Sequence, residues 1–253
     1  MGKSTDIAPG ATRGRRPKGQ GQDLREAILN AAEDLFSRHG FYGVTVRQVA
    51  AEAGVDTALI HYYFGAKREL FDAVFARRAE ILNRERLEAM AAYQAAHPED
   101  LKAEGVIEAF IGPLLDRSMT QDPGWKNYFR LVALVNNTPA WGGETMHRFF
   151  DPVVHQLIDT LKAALPEAEI DDLYWCYQFL TGAMMLALSE TGRIDQLSDG
   201  LCRSSDLQAV RERLFAYCAA GLEAVVRRRD GATGGGGVAK IHQLAKNSEP
   251  GPI

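Results

Sequence analysis

The chain of 253 residues is 46% hydrophobic and 25% charged, proportions typical of a soluble globular protein that buries a substantial core. Its net charge of −4 excludes a protein that is basic throughout. The charge is distributed unevenly, because residues 1–80 carry 12 Lys and Arg against 10 Asp and Glu whereas the remaining residues are acidic.

The positions of the cysteines and the hydropathy of the chain exclude further classes of protein. Cys176, Cys202 and Cys218 are far apart and form no C-x-x-C or Cys/His cluster, so we expect no disulfide framework, no zinc site or other metal, and no cofactor. The basic N-terminus lacks the apolar core of a secretory signal, and no run of about 18 apolar residues occurs. These features predict a cytoplasmic protein that does not enter a membrane.

The first predicted elements are a basic arm and a helix. Residues 1–21 are rich in Gly, Arg and Pro, which predicts disorder. Residues 23–39 then carry apolar side chains at helical spacing, and Gly40 marks the end of this predicted helix. The side chains on its apolar face are Ala27, Ile28, Ala31, Leu35 and Phe36.

The segment from Thr45 to Leu70 predicts two short helices joined by a tight turn and followed directly by a third. Thr45 is a candidate N-cap for the first helix, whose apolar residues recur at helical spacing. Gly54 supplies the positive φ that a sharp turn requires, and Asp56 caps a second helix over residues 57–63. This order is typical of a helix-turn-helix, which places its second helix in the major groove of DNA.

Nine residues are predicted to contact DNA. In a helix-turn-helix the first turn of the second helix meets base edges, while neighbouring hydroxyl and cationic groups reach bases or phosphates. Ile60 and Phe64 are expected to face the core, which is also the alternative place for Tyr62 and Tyr63. The predicted DNA-binding residues are Thr45, Arg47, Thr57, Ala58, Leu59, His61, Tyr62, Tyr63 and Lys67.

The basic arm before the first helix has two interpretations. Its cations either enter a minor groove next to the helix-turn-helix, as such arms can, or only keep a disordered tail in solution. The cations concerned are Arg13, Arg15, Arg16 and Lys18.

From Leu24 to about Arg78 the sequence resembles the DNA-binding domain of the TetR/AcrR family of transcriptional regulators. The resemblance rests on I-L-x-A-A-E-x-L-F from Ile28, on G-F-Y-G-V-T-V-R-Q-V-A from Gly40, and on A-G-V-D followed by I-H-Y-Y-F-G-A-K-x-x-L. The chain departs from the common pattern at His61, where a tyrosine is frequent, and at Tyr62, where a histidine is frequent. The resemblance implies a homodimer that binds a palindromic or near-palindromic double-stranded operator, with a larger helical domain for ligand binding and dimerisation.

Beyond Lys67 the chain is predicted to be helical, so the fold class is all-α. A long helix ends before Pro98, and further helices are predicted over 99–118, 123–136, 142–164, 171–190 and 205–228, the last opened by a capping box from Ser205 to Gln208. The predicted domains are a basic arm (1–21), a DNA-binding domain (22–68), a ligand-binding and dimerisation domain (69–229) and a flexible glycine-rich tail (230–253).

Aromatic and methionine side chains are concentrated in the middle of the second domain. Singly, such residues are more often core than pocket, but together they predict an apolar cavity between helices. The residues assigned to it are Trp125, Tyr128, Phe129, Met146, Phe149, Phe150, Trp175, Gln178 and Phe179, and further polar candidates for orienting a ligand are Arg130, Asn137, His147, Arg148 and His155.

The effector expected for this cavity is a small apolar molecule. The stretch from Tyr128 to Asp195 resembles the bodies of fatty-acyl-responsive family members, through F-R-L-V-x-L and L-P-x-x-x-x-x-D-L-Y-W-x-x-x-F-L-x-G-A. This second resemblance implies a long-chain acyl compound as one candidate.

The last two long helices contain small residues that permit close backbone approach. The family resemblance implies a four-helix dimer interface here, and a two-fold dimer explains recognition of half-sites about one DNA turn apart. The alternative is packing within a single chain. The residues assigned to the interface are Gly182, Leu207, Val210, Leu214, Tyr217 and Gly221.

Three functions compete at this point. The first is a dimeric repressor that an apolar effector releases from its operator. An enzyme is the second, and the lack of G-x-S-x-G, P-loop, H-E-x-x-H and dinucleotide-binding motifs argues against it. The third is an architectural protein that binds DNA without sequence preference, and the acidic remainder of the chain argues against that class.

Overall fold

The computed structural model describes residues 20–138 and 142–232. Within these ranges the chain forms ten α-helices and no strand, which confirms the predicted all-α fold. The chain divides into two compact units, one reaching Val74 and the other beginning at Phe75. The predictions for the basic cations of the arm and for the glycine-rich tail beyond residue 232 concern residues outside the described ranges.

The first unit contains α1 (Gln20–His39), α2 (Val46–Ala53), α3 (Thr57–Phe64) and the first turns of α4 (Lys67–Ala96). Helix α1 packs against α2, and α2 packs against α3. The core between them is apolar, with Ile28, Val49 and Ile60 fully buried and the Phe36 ring edge-on to Phe71 at 5.2 Å between centroids. Burial of each such side chain contributes roughly 1.5–3 kcal/mol, which fixes α3 to the unit by its inner face.

Local side chains determine where α2 and α3 begin. The amide of Gln48 donates to Thr45 Oγ1 at 3.3 Å and the amide of Thr45 donates to Gln48 Oε1 at 2.8 Å, so the two residues form a reciprocal capping box. Gly54 then adopts φ 64° and ψ 34°, the left-handed conformation that lets the chain reverse. Asp56 accepts a hydrogen bond from the amide of Ala58 at 2.7 Å and starts α3. The predicted caps and turn are confirmed.

The second unit contains the rest of α4 and six further helices. These helices are α5 (Ala103–Ser118), α6 (Pro123–Asn136), α7 (Gly142–Ala164), α8 (Ile170–Leu188), α9 (Arg193–Leu197) and α10 (Leu207–Ala232). Helix α10 packs against α5 and α8, and α6, α7 and α8 pack against one another. Their apolar faces form the core of this unit, in which Ile107, Phe110, Leu157 and Leu173 are fully buried.

Two details of the second unit differ from the sequence-based expectation. Helix α9 is not predicted, because five residues are too few to show an apolar period. The capping box proposed at Ser205 is wrong, since α10 begins at Leu207 and Asp206 Oδ1 accepts the hydrogen bond from the amide of Ala209 at 3.0 Å. Across the described ranges, no helix combines the length and the hydropathy that crossing a membrane requires.

Candidate nucleic-acid interface and ligand cavity

Helix α3 presents one face to the core of its unit and the other to solvent. Ile60 and Phe64 are buried, as predicted, whereas Tyr62 is 80% exposed and Ala58 and His61 are also exposed. The other three predicted contact residues of this helix, Thr57, Leu59 and Tyr63, are half-buried. Tyr62 therefore does not belong to the core, because most of its side chain is exposed to solvent.

The imidazole ring of His61 forms a hydrogen bond with the C-terminal end of its own helix. Its Nδ1 lies 2.8 Å from the carbonyl oxygen of Gly65, the residue that ends α3. Because a carbonyl only accepts, this contact assigns the proton to Nδ1 and leaves Nε2 as an acceptor in the neutral ring. The exposed ring can thus accept a hydrogen bond from a base amino group through Nε2.

The three predicted contact residues outside α3 have different surroundings. Arg47 is exposed and has no ion pair within the described ranges, so its guanidinium is available to a phosphate or a base. Thr45 is exposed too, but its hydroxyl and amide are both engaged with Gln48 in the capping box. Lys67 is half-buried, with Nζ 4.4 Å from the centroid of the Phe41 ring, and burial lowers the pKa of its ammonium.

A cavity lies inside the second unit, between α4, α5, α6, α7 and α8. In this conformation its free volume is about 20 Å³, which is room for little more than one water molecule. Most of its lining is apolar. The lining residues are Leu82, Arg86, Leu114, Tyr128, Phe129, Val132, Met146, Phe150, Val154, Tyr177, Thr181, Met184 and Met185.

Only part of the predicted cavity lining matches this arrangement. Tyr128, Phe129, Met146 and Phe150 border the cavity, whereas Trp125, Phe149, Trp175, Gln178 and Phe179 do not. The Trp125 ring is instead covered by two guanidinium groups, of Arg78 at 4.8 Å and Arg117 at 5.1 Å. Trp175 and Phe179 are 60% and 61% exposed on the outer face of α8, so their position on that helix excludes a place inside the unit.

Sequence reasoning missed the polar residues of the cavity, Arg86, Tyr177 and Thr181. Arg86 is buried, with Nε donating to the carbonyl oxygen of Phe110 at 3.0 Å and its guanidinium carbon 3.5 Å from the Phe110 ring centroid. Burial lowers the pKa of Arg86 to about 10, partly countered by the nearby Tyr177 and Tyr128, so the group remains charged at neutral pH. The sequence does indicate that Arg86 faces the interior, because Leu82, Arg86 and Met90 are spaced by four residues on the apolar side of α4.

Some of the residues assigned to a dimer interface face the core of their own chain, and others face solvent. Leu207 and Leu214 are buried within their own chain, so little of either side chain is left for a partner to contact. Val210 is half-buried, whereas Tyr217 is 72% exposed. Gly182 and Gly221 are exposed, and a Cβ added at either would meet no atom within 4 Å. The exposed members lie on α8 and α10.

Comparison with known proteins agrees with this architecture. The family model described as "Bacterial regulatory proteins, tetR family" matches residues 28–74, and the model "Tetracyclin repressor-like, C-terminal domain" matches residues 108–221. The two matches correspond to the helix-turn-helix and to the helical unit that contains the cavity. The chain therefore belongs to the TetR family of bacterial transcriptional regulators.

One curated relative and two solved structures illustrate the extent of similarity. The HTH-type transcriptional regulator HbdR of Aromatoleum sp. (strain CIB) is 45% identical over 49 residues, which is 19% of this chain and only 21% of that relative. A TetR-like regulator from Rhodococcus sp. RHA1 superposes with a TM-score of 0.54 at 20% identity, covering 83% of this chain and 99% of the other. The fatty acid degradation regulator FadR from Bacillus halodurans superposes with a TM-score of 0.51 at 14% identity, covering 76% and 94%. At these identities the structural likenesses show a shared fold.

Proposed function

We propose that the protein is a dimeric, sequence-specific DNA-binding repressor of the cytoplasm that an apolar small molecule releases from its operator. The observation that carries the proposal is the position of α3. Ile60 and Phe64 anchor this helix in the core, while Ala58, His61 and Tyr62 are exposed to solvent. Such an arrangement leaves the outer face of a recognition helix free to enter a major groove.

The exposed aromatic surface of the second unit supports a homodimer. Trp175 and Phe179 lie one turn apart on α8, with their rings stacked at 6.0 Å between centroids, and both are mostly exposed. Tyr217 of α10 is exposed as well, and no close contact with the described residues requires a glycine at Gly182 or Gly221. A second copy that covers this surface would bury the aromatic rings and use the glycines for close approach.

The cavity supports a small-molecule effector. Its lining is mainly apolar, and since its free volume is about 20 Å³, a ligand larger than water would enter as the surrounding helices move apart. One structural relative, FadR of Bacillus halodurans, is named as a fatty acid degradation regulator, which supports an acyl compound as a candidate for this chain as well. Leu82 and Arg86 of the cavity belong to α4, the helix that begins at Lys67 beside the helix-turn-helix in the sequence.

Release from DNA follows if the effector prefers the conformation that does not bind the operator. A ligand shifts such an equilibrium only through unequal affinity for the two conformations, and the coupling is typically about 1–3 kcal/mol. We propose that the ligand exerts this preference through its contacts with α4, because residues of α4 belong to both units.

A gel-shift titration tests the DNA-binding part of the proposal. The full chain is titrated against the promoter of a neighbouring gene and against a scrambled duplex of equal length, and we expect tight binding to the promoter alone. Tyr62→Ala should weaken operator binding at least about fivefold, corresponding to about 1 kcal/mol, without changing the helical circular dichroism spectrum.

The matched control for this substitution is Leu201→Ala. It removes a similarly exposed apolar side chain from the second unit and should leave operator affinity unchanged. Equal binding to promoter and scrambled DNA would contradict the repressor assignment. An unchanged affinity of Tyr62→Ala would contradict the proposed role of that side chain.

A further inference from the structure

Several polar side chains line the cavity. Arg86 is buried, and within the described ranges its guanidinium makes one hydrogen bond, from Nε to the carbonyl oxygen of Phe110. Thr181 is also buried and lines the same cavity, and its hydroxyl oxygen has no hydrogen-bond partner in this part of the chain. Tyr177, a third polar lining residue, lies close enough to Arg86 to interact with it electrostatically.

The charge of Arg86 has no acidic partner in the described ranges. No Asp or Glu of these ranges lies within ion-pair distance of its guanidinium, although Arg84 and Arg117 on neighbouring surfaces pair with Glu88 and Glu85. A buried cation that lacks a counter-charge is unfavourable, because the interior replaces its hydration poorly. A ligand that supplies the missing negative charge would therefore bind with unusual selectivity beside Arg86.

We propose that the effector carries a carboxylate headgroup that pairs with Arg86, while its apolar tail lies among the leucine, methionine and aromatic side chains of the cavity. This inference rests on the proposed function, since it names the chemical class of the effector. The planar guanidinium presents paired N–H donors that match the two oxygens of a carboxylate. The Thr181 hydroxyl supplies one more donor at the same site, and the lining next to these groups is apolar.

The inference distinguishes between ligands of equal size and different charge. A thioester or an alcohol of the same chain length offers a neutral oxygen, which leaves the guanidinium charge unbalanced. A carboxylate neutralises that charge. The buried charge of Arg86 thus predicts a free acid as effector in preference to its neutral derivatives.

The test uses decanoate and decan-1-ol as a charged and a neutral probe of equal chain length. Calorimetric titration of the full chain should show decanoate binding at least about tenfold more tightly than the alcohol. Arg86→Met, which retains the length of the side chain without its charge, should abolish this preference while the affinity for decan-1-ol stays within about twofold. Arg84→Met, an exposed position of the same helix, should retain the preference.

A second variant keeps the inference testable if Arg86→Met does not fold. Thr181→Val replaces the hydroxyl by a methyl group of similar volume, and it should weaken decanoate binding about three- to tenfold with little change for the alcohol. Equal affinity of the wild-type chain for acid and alcohol would overturn the inference. So would an acid preference that survives in Arg86→Met, or, where Thr181→Val alone folds, a decanoate affinity that this variant leaves unchanged.

The DNA-binding experiment separates this inference from the proposed function. A chain that binds its operator but does not distinguish decanoate from decan-1-ol retains the repressor function and contradicts the carboxylate headgroup. A chain that prefers decanoate through Arg86 but binds promoter and scrambled DNA alike retains the carboxylate site and contradicts the repressor function. Addition of decanoate to the operator complex should release the DNA from the wild-type chain and not from Arg86→Met.

Discussion

Residues only two positions apart in α3 differ in whether they face the core or solvent, and this difference determines what each can do. Ile60 is fully buried whereas Tyr62, two positions later, is 80% exposed. A helix turns by 100° per residue, so two positions are enough to move a side chain from the core to solvent. The buried residue holds the helix in place, and the exposed one is available to DNA.

The three thiols also differ in their surroundings. Burial raises the pKa of the Cys176 thiol to about 11 and also raises the pKa of Cys218, whereas Cys202 is exposed. Because the thiolate is the reactive form, a pKa near 11 leaves about one part in a thousand of Cys176 ionised at pH 8. We therefore expect one fast-reacting thiol per native chain in a titration with a disulfide reagent.

Substitution of the exposed cysteine checks the assignment. Cys202→Ser should remove the fast phase, and unfolding in guanidinium chloride should make Cys176 and Cys218 reactive as well. A native chain in which two thiols react at the same fast rate would contradict the burial of Cys176 and Cys218.

At the scale of the helices, short-range side-chain hydrogen bonds mark the starts of α2, α3, α6 and α10. Asp122 accepts from the amide of Gly124 at 2.9 Å, with Pro123 in the first turn of α6, as the sequence predicts. Its carboxylate also pairs with Arg78 at 2.8 Å, and this contact, with the Gly124 amide, lowers the pKa of Asp122. The first of these interactions is local in sequence, whereas the ion pair joins α6 to α4 and becomes visible only in the folded chain.

The contact between α4 and α5 leads to a prediction about stability. A Cβ added at Gly105 would lie 2.1 Å from Cζ of Tyr93, so α5 can approach this ring only through a glycine. We expect Gly105→Ala to lower the free energy of unfolding by about 1–3 kcal/mol, because the tyrosine must move. In a chain of this size the melting temperature should fall by about 2–4 °C for each kcal/mol, measured by circular dichroism.

Gly143→Ala is the matched control for this prediction. Gly143 lies in α7, and a Cβ built there meets no atom within 4 Å. The control should be neutral or slightly stabilising, since alanine favours a helix over glycine by up to about 1 kcal/mol. Equal melting temperatures for the two variants would show that Tyr93 does not require the glycine.

At the scale of the whole molecule, the exposed face of α8 and α10 predicts the oligomeric state. We expect the wild-type chain to be a dimer and Phe179→Glu to be a folded monomer. The substitution places a charge on a surface that a partner would cover, whereas in a single chain this side chain is 61% exposed. Light scattering coupled to size-exclusion chromatography measures the mass directly.

Leu201→Glu provides the comparison for the dimer prediction. Leu201 is exposed in the segment between α9 and α10 and belongs to neither α8 nor α10. It should elute as the wild type does. A monomeric wild-type chain, or a dimeric Phe179→Glu variant, would contradict an interface at this surface.

The helix-turn-helix could be predicted from the sequence in more detail than the cavity could. Thr45 and Asp56 accept hydrogen bonds from amides within three residues, and Gly54 itself adopts the conformation of the turn. Their roles therefore follow from local chemistry. Arg86 and Thr181 belong to helices about 95 positions apart and share a cavity because their helices pack together. No short-range pattern relates them, and a charge near an apolar stripe is ordinarily assigned to solvent.

The sequence by itself determined the all-α fold, the caps and turn of the helix-turn-helix and the family, because these depend on helical periodicity and on contacts a few residues long. The tertiary structure decided which aromatic residues border the cavity and which lie outside. It placed Trp175 and Phe179 on the surface, Leu207 and Leu214 inside, and Arg86 in the lining of the cavity. Periodicity identifies the apolar face of a helix, but only the packing of the other helices determines what covers that face.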